Sequence, residues 1–287
     1  MEEQQPSQSP GKLRLGRTGL LVSVQDWPEA NTAINLGVEW LDLKDPSAGP
    51  LGPPSIELVE QVASVLETPT LPHNVTRNKV ARNWSIAGGE LLEWDSRRHD
   101  LLLEALGKTG CIKWALAGCA PCPDWPARLD RLGQRLDRHT QRAIVVHYAD
   151  HHRCRAPNWQ ETLHVAAELR WKRLLIDTAI KDDSNLFDYY DRDELTQMVE
   201  QAQSQGIELA LAGSIRLEML PTLLSIGPAW IGMRGGLCND GIRNSPICEK
   251  KIRMAMSMTC DSDTTSDRCR DSIVPCSSTE YSSPQDR

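Results

Sequence analysis

The stretch AIVVHYADHHRCRAPNWQETLHVAAELRWKRLLIDT at residues 143–178 decides the fold. It opens on a short apolar run, AIVVHY, whose length and β-branched content suit a buried strand. A helical segment follows over about 158–169, and a second apolar run, RLLIDT at 173–178, closes the unit. Strand, helix, strand within some thirty-five residues is the crossover that joins parallel neighbours, and such crossovers are right-handed.

The same unit repeats in both directions. Upstream, LLVSV at 20–24 leads into a helix begun by Pro28 and stopped by Gly37. Next come a strand at 38–43, a helix over roughly 55–67, a short strand at 83–87 and a helix within 97–107. CIKWAL at 111–116 then precedes a helix at 125–138. Downstream, a helix at 192–204, IELALA at 207–212, a helix at 216–225, AWIGM at 229–233 and a short helix from near Ser245 complete the series. Eight strands, each followed by a helical segment, predict an α/β protein of the (β/α)8 barrel class. A doubly wound open sheet is the structural alternative, and it leaves the last two units without a place.

The predicted organisation is a flexible arm at 1–17, one barrel domain at 18–253 and a Ser/Thr/Asp-rich disordered tail at 254–287. Residues 68–82, with Pro69 and Pro72, read as an irregular excursion. Charged residues make up 25% of the chain, hydrophobic ones 40%, and the net charge is -7. With no basic stripe, a nucleic-acid partner is not expected. No segment is long and apolar enough to span a membrane. The N-terminus has no secretory pattern, so the cytoplasm is the expected compartment. Self-association as a homo-oligomer is left open. Cys119 and Cys122 form C-x-x-C, and His151, His152 and Cys154 form a second cluster, but neither has a full set of metal ligands by spacing. Neither a metal nor a cofactor is therefore expected.

In a barrel, chemistry sits at the C-terminal ends of the strands. Ionisable residues fall at those ends here: Asp42 and Lys44 after the second strand, Lys113 within the fourth, Asp150 after the fifth, and Asp177 with Lys181 after the sixth. Asp42 and Lys44 share a face because a strand repeats every two residues. A lysine inside an apolar strand needs a partner. Burial near another cation lowers a lysine pKa, and the free amine can attack a carbonyl to form an iminium. His147 reads as a core histidine, and His151 and His152 as solvated. Phe187 and Tyr189 are expected to close a cap over the sixth strand.

ALAGS at 210–214 and RGG at 234–236 end consecutive strands. Gly213, Ser214, Gly235 and Gly236 offer backbone N–H groups to a phosphate, with a cation from Arg216 or Arg234. A small phosphorylated aldehyde or ketone is the expected substrate.

Several stretches resemble the (5-formylfuran-3-yl)methyl phosphate synthase family. They are LLVSV with EA at 29–30, G-x-x-x-x-DLKDP at 37–46, G-x-LG at 49–52, SIAGGEL at 85–91 and IKWALAG at 112–118. They continue through HYAD at 147–150, LLIDTAIKD at 174–182 with LFD at 186–188, LALAGS at 209–214 and IGMRGGLC at 231–238 with Arg243. The resemblance implies a lyase that condenses two glyceraldehyde 3-phosphate molecules into 4-(hydroxymethyl)-2-furancarboxaldehyde phosphate, a step toward methanofuran, with loss of phosphate and water. It further implies Lys44 as the Schiff-base lysine beside Asp42 and Lys113 as a proton-transferring lysine, with Asp177, Lys181 and Asp150 completing the site. Trp94, Trp114 and Trp230 depart from the smaller residues expected at their positions. Another Schiff-base aldolase is the alternative enzyme, and a non-catalytic binding barrel the alternative outside catalysis.

Overall fold

A computed structural model describes residues 17–66, 83–136 and 142–260. Eight parallel strands close into a barrel in sequence order, β1 (Gly19–Val24), β2 (Trp40–Leu43), β3 (Asn83–Glu90), β4 (Cys111–Ala115), β5 (Ala143–Tyr148), β6 (Arg173–Asp177), β7 (Glu208–Leu211) and β8 (Trp230–Met233). β8 pairs with β1 through Gly19 and Trp230, which closes the ring and excludes the open sheet. The helices are α1 (Trp27–Leu36), α2 (Ile56–Leu66), α3 (Ser96–Ala105), α4 (Trp125–Arg135), α5 (His151–Cys154), α6 (Trp159–Glu168), α7 (Arg192–Ser204), α8 (Leu220–Ile226) and α9 (Glu249–Cys260).

Local chemistry sets the helix ends. Asp26 caps α1 by accepting from Glu29 N, and Gly37 stops it in the left-handed region at φ 77°. Asn158 and Glu161 form a reciprocal capping box at the start of α6. The short α5 directly after β5 was not legible as a helix, because four residues carry no periodicity.

Three boundaries differ from expectation. β3 runs on to Glu90 through Gly88 and Gly89, with a register shift between Ala87 and Glu90. A Cβ on Gly88 would stand 2.8 Å from Lys113 O, so this close strand approach needs glycine. The last helix starts at Glu249 rather than near Ser245 and continues to Cys260, so the first residues assigned to the tail are structured. Ile252, Ala255 and Thr259 are buried where α9 packs against α1, α8 and β1, an apolar stripe masked by the polar composition around it. The excursion at 68–82, the arm at 1–16 and the tail beyond 260 lie outside the described residues.

Alternate strand residues divide between two cores. Leu21, Ser23, Lys44, Lys113, Leu175, Asp177 and Ala212 face the barrel axis. Trp114 faces the helices, its ring centroid 6.4 Å from that of Trp94 and 6.0 Å from that of Trp171. Trp230 closes the bottom of the barrel edge-on against Trp40, centroids 4.9 Å apart. Gly19 makes room for it, since a Cβ there would lie 2.3 Å from the Trp230 ring. The unexpectedly large Trp230 thus fills space that Gly19 vacates. Among the described residues, no helix is long and apolar enough to cross a membrane.

Candidate active site

The top of the barrel opens into a cavity of about 550 Å³, whose lining includes Lys44, Lys113, Asp177 and Lys181. Gly213, Ser214, Arg216, Arg234, Gly235 and Gly236 border the same cavity. Asp42 and Asp150 do not line it, but each holds a residue that does or the loop that carries one.

Register explains the lower layer. Asp42 lies beside Ser23 on one neighbouring strand and Ser85 on the other. Its Oδ2 accepts from the Ser23 hydroxyl at 2.9 Å and its Oδ1 from Ser85 at 2.7 Å. Lys113 reaches the same Oδ1 at 2.5 Å, and both charged groups are buried. Such a pair is tolerated in a low-dielectric interior only when its remaining hydrogen-bonding sites are also met.

Lys44 stands one layer higher. Among the described residues it makes no direct ion pair, although Asp177 and Asp42 attract it from a distance. Burial is the largest influence and pulls its pKa from 10.5 to about 7; Asp177 and Asp42 oppose the drop, and Lys113 and Arg243 add to it. The outcome is a lysine whose free amine is abundant at neutral pH.

Asp177 and Lys181 form the rim. Lys181 Nζ lies 2.6 Å from Asp177 Oδ1 and 2.9 Å from the Thr178 hydroxyl. Burial would raise the Asp177 carboxyl, but Lys181 and Lys44 hold it down at about 2. Burial lowers the Lys181 pKa while Asp177 pulls it back.

Asp150 was expected to join the chemistry directly. Instead its two oxygens accept from Ala179 N at 2.6 Å and Ile180 N at 2.9 Å, so it fixes the loop that presents Lys181. Arg234 was a candidate phosphate cation. Its Nη1 lies 2.8 Å from Glu29 and donates to Ser23 O, and its Nε donates to Arg243 O. The charge of this buried guanidinium is balanced by Glu29. Arg216 remains exposed at the cavity edge.

Arg243 is the lining cation that strand-end reasoning left without a role. It follows β8 by ten residues and is delivered by a loop, where no periodicity points to it. Its Nη2 donates to Gly49 O at 3.1 Å and Pro50 O at 3.3 Å. Ser23 and Ser85 were also missed, although the period-two rule that selected Asp42 selects them as inward polar residues.

The glycines allow sharp turns and close backbone packing. Gly213 has φ 109° and Ser214 φ 52°, so the end of β7 turns through left-handed backbone. A Cβ on Gly236 would stand 2.4 Å from Ile215 O, which ties the β8 loop tightly against the β7 loop.

The expected aromatic cap is not there. From the β6 loop, Lys181, Asp182 and Asp183 line the cavity, whereas Phe187 and Tyr189 do not. Tyr189 accepts from Arg153 at 2.7 Å on the outer side of the loop. His147 is a core residue, its Nε2 2.9 Å from the Tyr190 hydroxyl; burial, with the neighbouring His151, pushes its pKa down to about 3. Burial pushes the Cys119 thiol up to about 12 and Cys154 up to about 11, which disfavours their thiolate forms.

Known proteins resemble this chain in sequence and in fold. A (5-formylfuran-3-yl)methyl phosphate synthase of Methanococcus maripaludis is 30% identical over 247 residues, covering 84% of this chain and 98% of the relative. That of Methanocaldococcus jannaschii is 28% identical over 252 residues, covering 84% and 99%. Among solved structures, 3-hexulose-6-phosphate synthase from Salmonella typhimurium aligns with a TM-score of 0.57 at 10% identity over 85% of this chain and 99% of that one. Phosphoribosyl anthranilate isomerase from Thermus thermophilus aligns at 0.54 and 14%, covering 85% and 100%. At such identities these structures speak for the barrel alone. The sequence profile of 4-HFC-P synthase matches residues 20–256, which reach from the second residue of β1 to beyond β8 and include Lys44, Lys113, Lys181, Asp42, Asp150 and Asp177, and the chain belongs to that family.

Proposed function

We propose that this chain is a (5-formylfuran-3-yl)methyl phosphate synthase, a lyase of methanofuran biosynthesis that condenses two molecules of glyceraldehyde 3-phosphate through a Schiff base on Lys44. The observation that carries the reading is the Lys44 amine, which lines the cavity yet is buried, with its pKa drawn to about 7. Reaction with an aldehyde needs a neutral nitrogen, and the iminium that follows needs anions nearby. Asp177 and Asp42 provide those anions.

In this scheme Lys44 Nζ adds to the carbonyl carbon of the first triose phosphate, and water leaves as the iminium forms. Loss of the adjacent carbon-bound proton gives the enamine, with the electron pair drawn toward nitrogen. The enamine carbon attacks the aldehyde of the second triose phosphate, whose oxygen takes up a proton. Lys113, paired with Asp42, and Lys181, paired with Asp177, are the groups placed to move these protons. Loss of phosphate and of two waters with ring closure gives the furan, and hydrolysis of the C=N bond by one water then releases it and restores the amine. The atoms balance without an oxidant.

The phosphates are assigned to the backbone N–H groups around Gly213, Ser214, Gly235 and Gly236, with Arg216 and Arg243 as cations. All of these residues border the cavity. The reaction is expected to proceed in the cytoplasm on this small phosphorylated aldehyde, without a nucleic-acid partner.

The test is incubation with glyceraldehyde 3-phosphate alone, followed by ultraviolet absorbance of the furan and borohydride trapping with peptide mapping. The expected result is furan formation and a label on Lys44. An active protein that carries no label would overturn the iminium route, and formation of a non-furan adduct would favour an ordinary aldolase.

A further inference from the structure

Both oxygens of Asp42, in the layer beneath the cavity, are engaged. Oδ1 takes the Ser85 hydroxyl and the Lys113 ammonium, and Oδ2 takes the Ser23 hydroxyl. Behind Ser85, the indole Nε1 of Trp40 donates to Ser85 Oγ at 3.0 Å. A hydroxyl has one hydrogen to give and lone pairs to receive. Since Trp40 Nε1 can only donate, the Ser85 oxygen is the acceptor on that side and its hydrogen points to Asp42. The chain Trp40 to Ser85 to Asp42 therefore has one direction, and every hydrogen in it supports a carboxylate anion.

Trp40, Asp42, Ser85 and Lys113 are each at most about 2% exposed, so water does not replace a lost partner easily. Ser23 is also buried and borders the cavity. Lys44 is two residues beyond Asp42 on the same strand face, close enough for Asp42 to attract it. A carboxylate free to turn would divide itself between the two lysines.

We propose that Ser85, oriented by Trp40, and Ser23 are positioning residues that lock Asp42 as the fixed counter-ion of Lys113, so that Lys113 is the ammonium of the site and Lys44 its amine. This division of labour rests on the Schiff-base reading. A barrel with two inward lysines needs some device that decides which one is nucleophile and which one is acid. The serines do so by aiming the anion at one of them.

The charged groups acting on Lys44 are Asp177 from β6, Asp42 from its own strand, Lys113 from β4 and Arg243 from the loop after β8. Removing the Ser85 hydroxyl alters only the aim of Asp42 among these. Turned toward Lys44, Asp42 would raise the affinity of that amine for its proton.

The experiment reads the amine directly and does not depend on the natural substrate. The full chain is treated with propanal and cyanoborohydride across pH 5.5–9.5, and alkylation of the Lys44 peptide is followed by mass spectrometry. In each event a C–N bond forms, water leaves and hydride reduces the iminium. The expected result is a labelling midpoint displaced upward by roughly one pH unit in Ser85→Ala, since an added charge interaction of modest size moves a pKa that far. A smaller displacement in the same direction is expected for Trp40→Phe, and Ser85→Thr, which keeps the hydroxyl, should return the midpoint to the wild-type value. Identical midpoints in wild type, Ser85→Ala and Trp40→Phe, with circular dichroism unchanged, would overturn the proposal. Should Ser85→Ala not fold, Trp40→Phe and Ser23→Ala decide by the same midpoint. Absence of furan from wild type with the midpoint displacement intact would sink the proposed reaction and leave the positioning roles standing. A normal furan yield with no displacement would do the reverse.

Discussion

Asp177 Oδ1 lies 2.6 Å from Lys181 Nζ while the same carboxylate is the strongest attraction acting on Lys44, so one acid governs the charge of two lysines. The lysines in turn hold Asp177 ionised against the cost of its burial. The three groups form a coupled set in which no member can be changed alone.

Replacing Asp177 with Asn removes the chief anion beside Lys44. Because Asp177 raises the Lys44 pKa, its loss carries that pKa below about 7. The acid limb of kcat/KM should then move to lower pH even as kcat falls, by roughly 100-fold if Lys181 loses its place in proton transfer. A pH profile over 5 to 8 checks both parts. A limb displaced toward higher pH would show that Asp177 does not act on Lys44 electrostatically.

Lys44 carries a stability signature apart from its chemistry. Its pKa is 10.5 in the reference state and about 7 in the fold, so between these values the unfolded chain binds more protons. Stability therefore rises with pH across that window. The handicap of the buried ammonium is complete below pH 7 and gone above 10.5. Lys44→Met should abolish turnover and labelling, yet unfold at higher urea than wild type at pH 6.5, by a few kcal/mol, each pKa unit being worth about 1.4 kcal/mol. The two curves should converge as pH approaches 10.5. Equal stability at pH 6.5 would show that Lys44 is not desolvated.

Asp150 is expected to act on kcat through the loop it holds. Asp150→Ala removes the acceptor for both Ala179 N and Ile180 N, which are part-buried and within reach of water, a loss of about 1 kcal/mol for each. Asp150→Asn keeps one carbonyl oxygen and should fall between. The melting temperature and kcat should drop together along this series, with the acid limb of the profile unmoved. A displaced limb with unchanged melting would instead make Asp150 part of the proton chemistry.

Much of this site was legible because a barrel converts strand order into position. Once eight β–α units were read, period two placed Asp42 and Lys44 inward together and put Lys113, Asp177 and the two glycine-bearing loops on one rim. What periodicity cannot reach is partnership across the ring. That Arg234 belongs to Glu29, two hundred residues earlier, depends on β8 closing against β1. That Asp150 accepts from the Ala179 and Ile180 N–H groups depends on the path of an irregular loop. Arg243 sits in such a loop as well. α9 was obscured for a different reason, because its Ser, Thr and Met content hid a stripe of three buried residues.

The arginines around the cavity should separate into two kinds. Arg234 and Glu29 form a buried pair, and Glu29 also accepts from Gln25 N at 2.9 Å and Ile247 N at 3.2 Å. The pair therefore ties β1, β8 and the loop bearing Arg243 together. Breaking it with Arg234→Met strands a buried carboxylate and should cost about 3–5 kcal/mol, measured by urea unfolding. The double change Arg234→Met with Glu29→Met removes both charges and should recover part of that loss. Arg216→Gln and Arg243→Gln leave no buried ion behind, since neither arginine has a carboxylate partner among the described residues. Each should raise KM for glyceraldehyde 3-phosphate by about tenfold or more, the worth of one charge-assisted phosphate contact, with stability nearly unchanged. If Arg234→Met instead raised KM with full stability, the guanidinium would belong to the substrate and the assignment to Glu29 would fail.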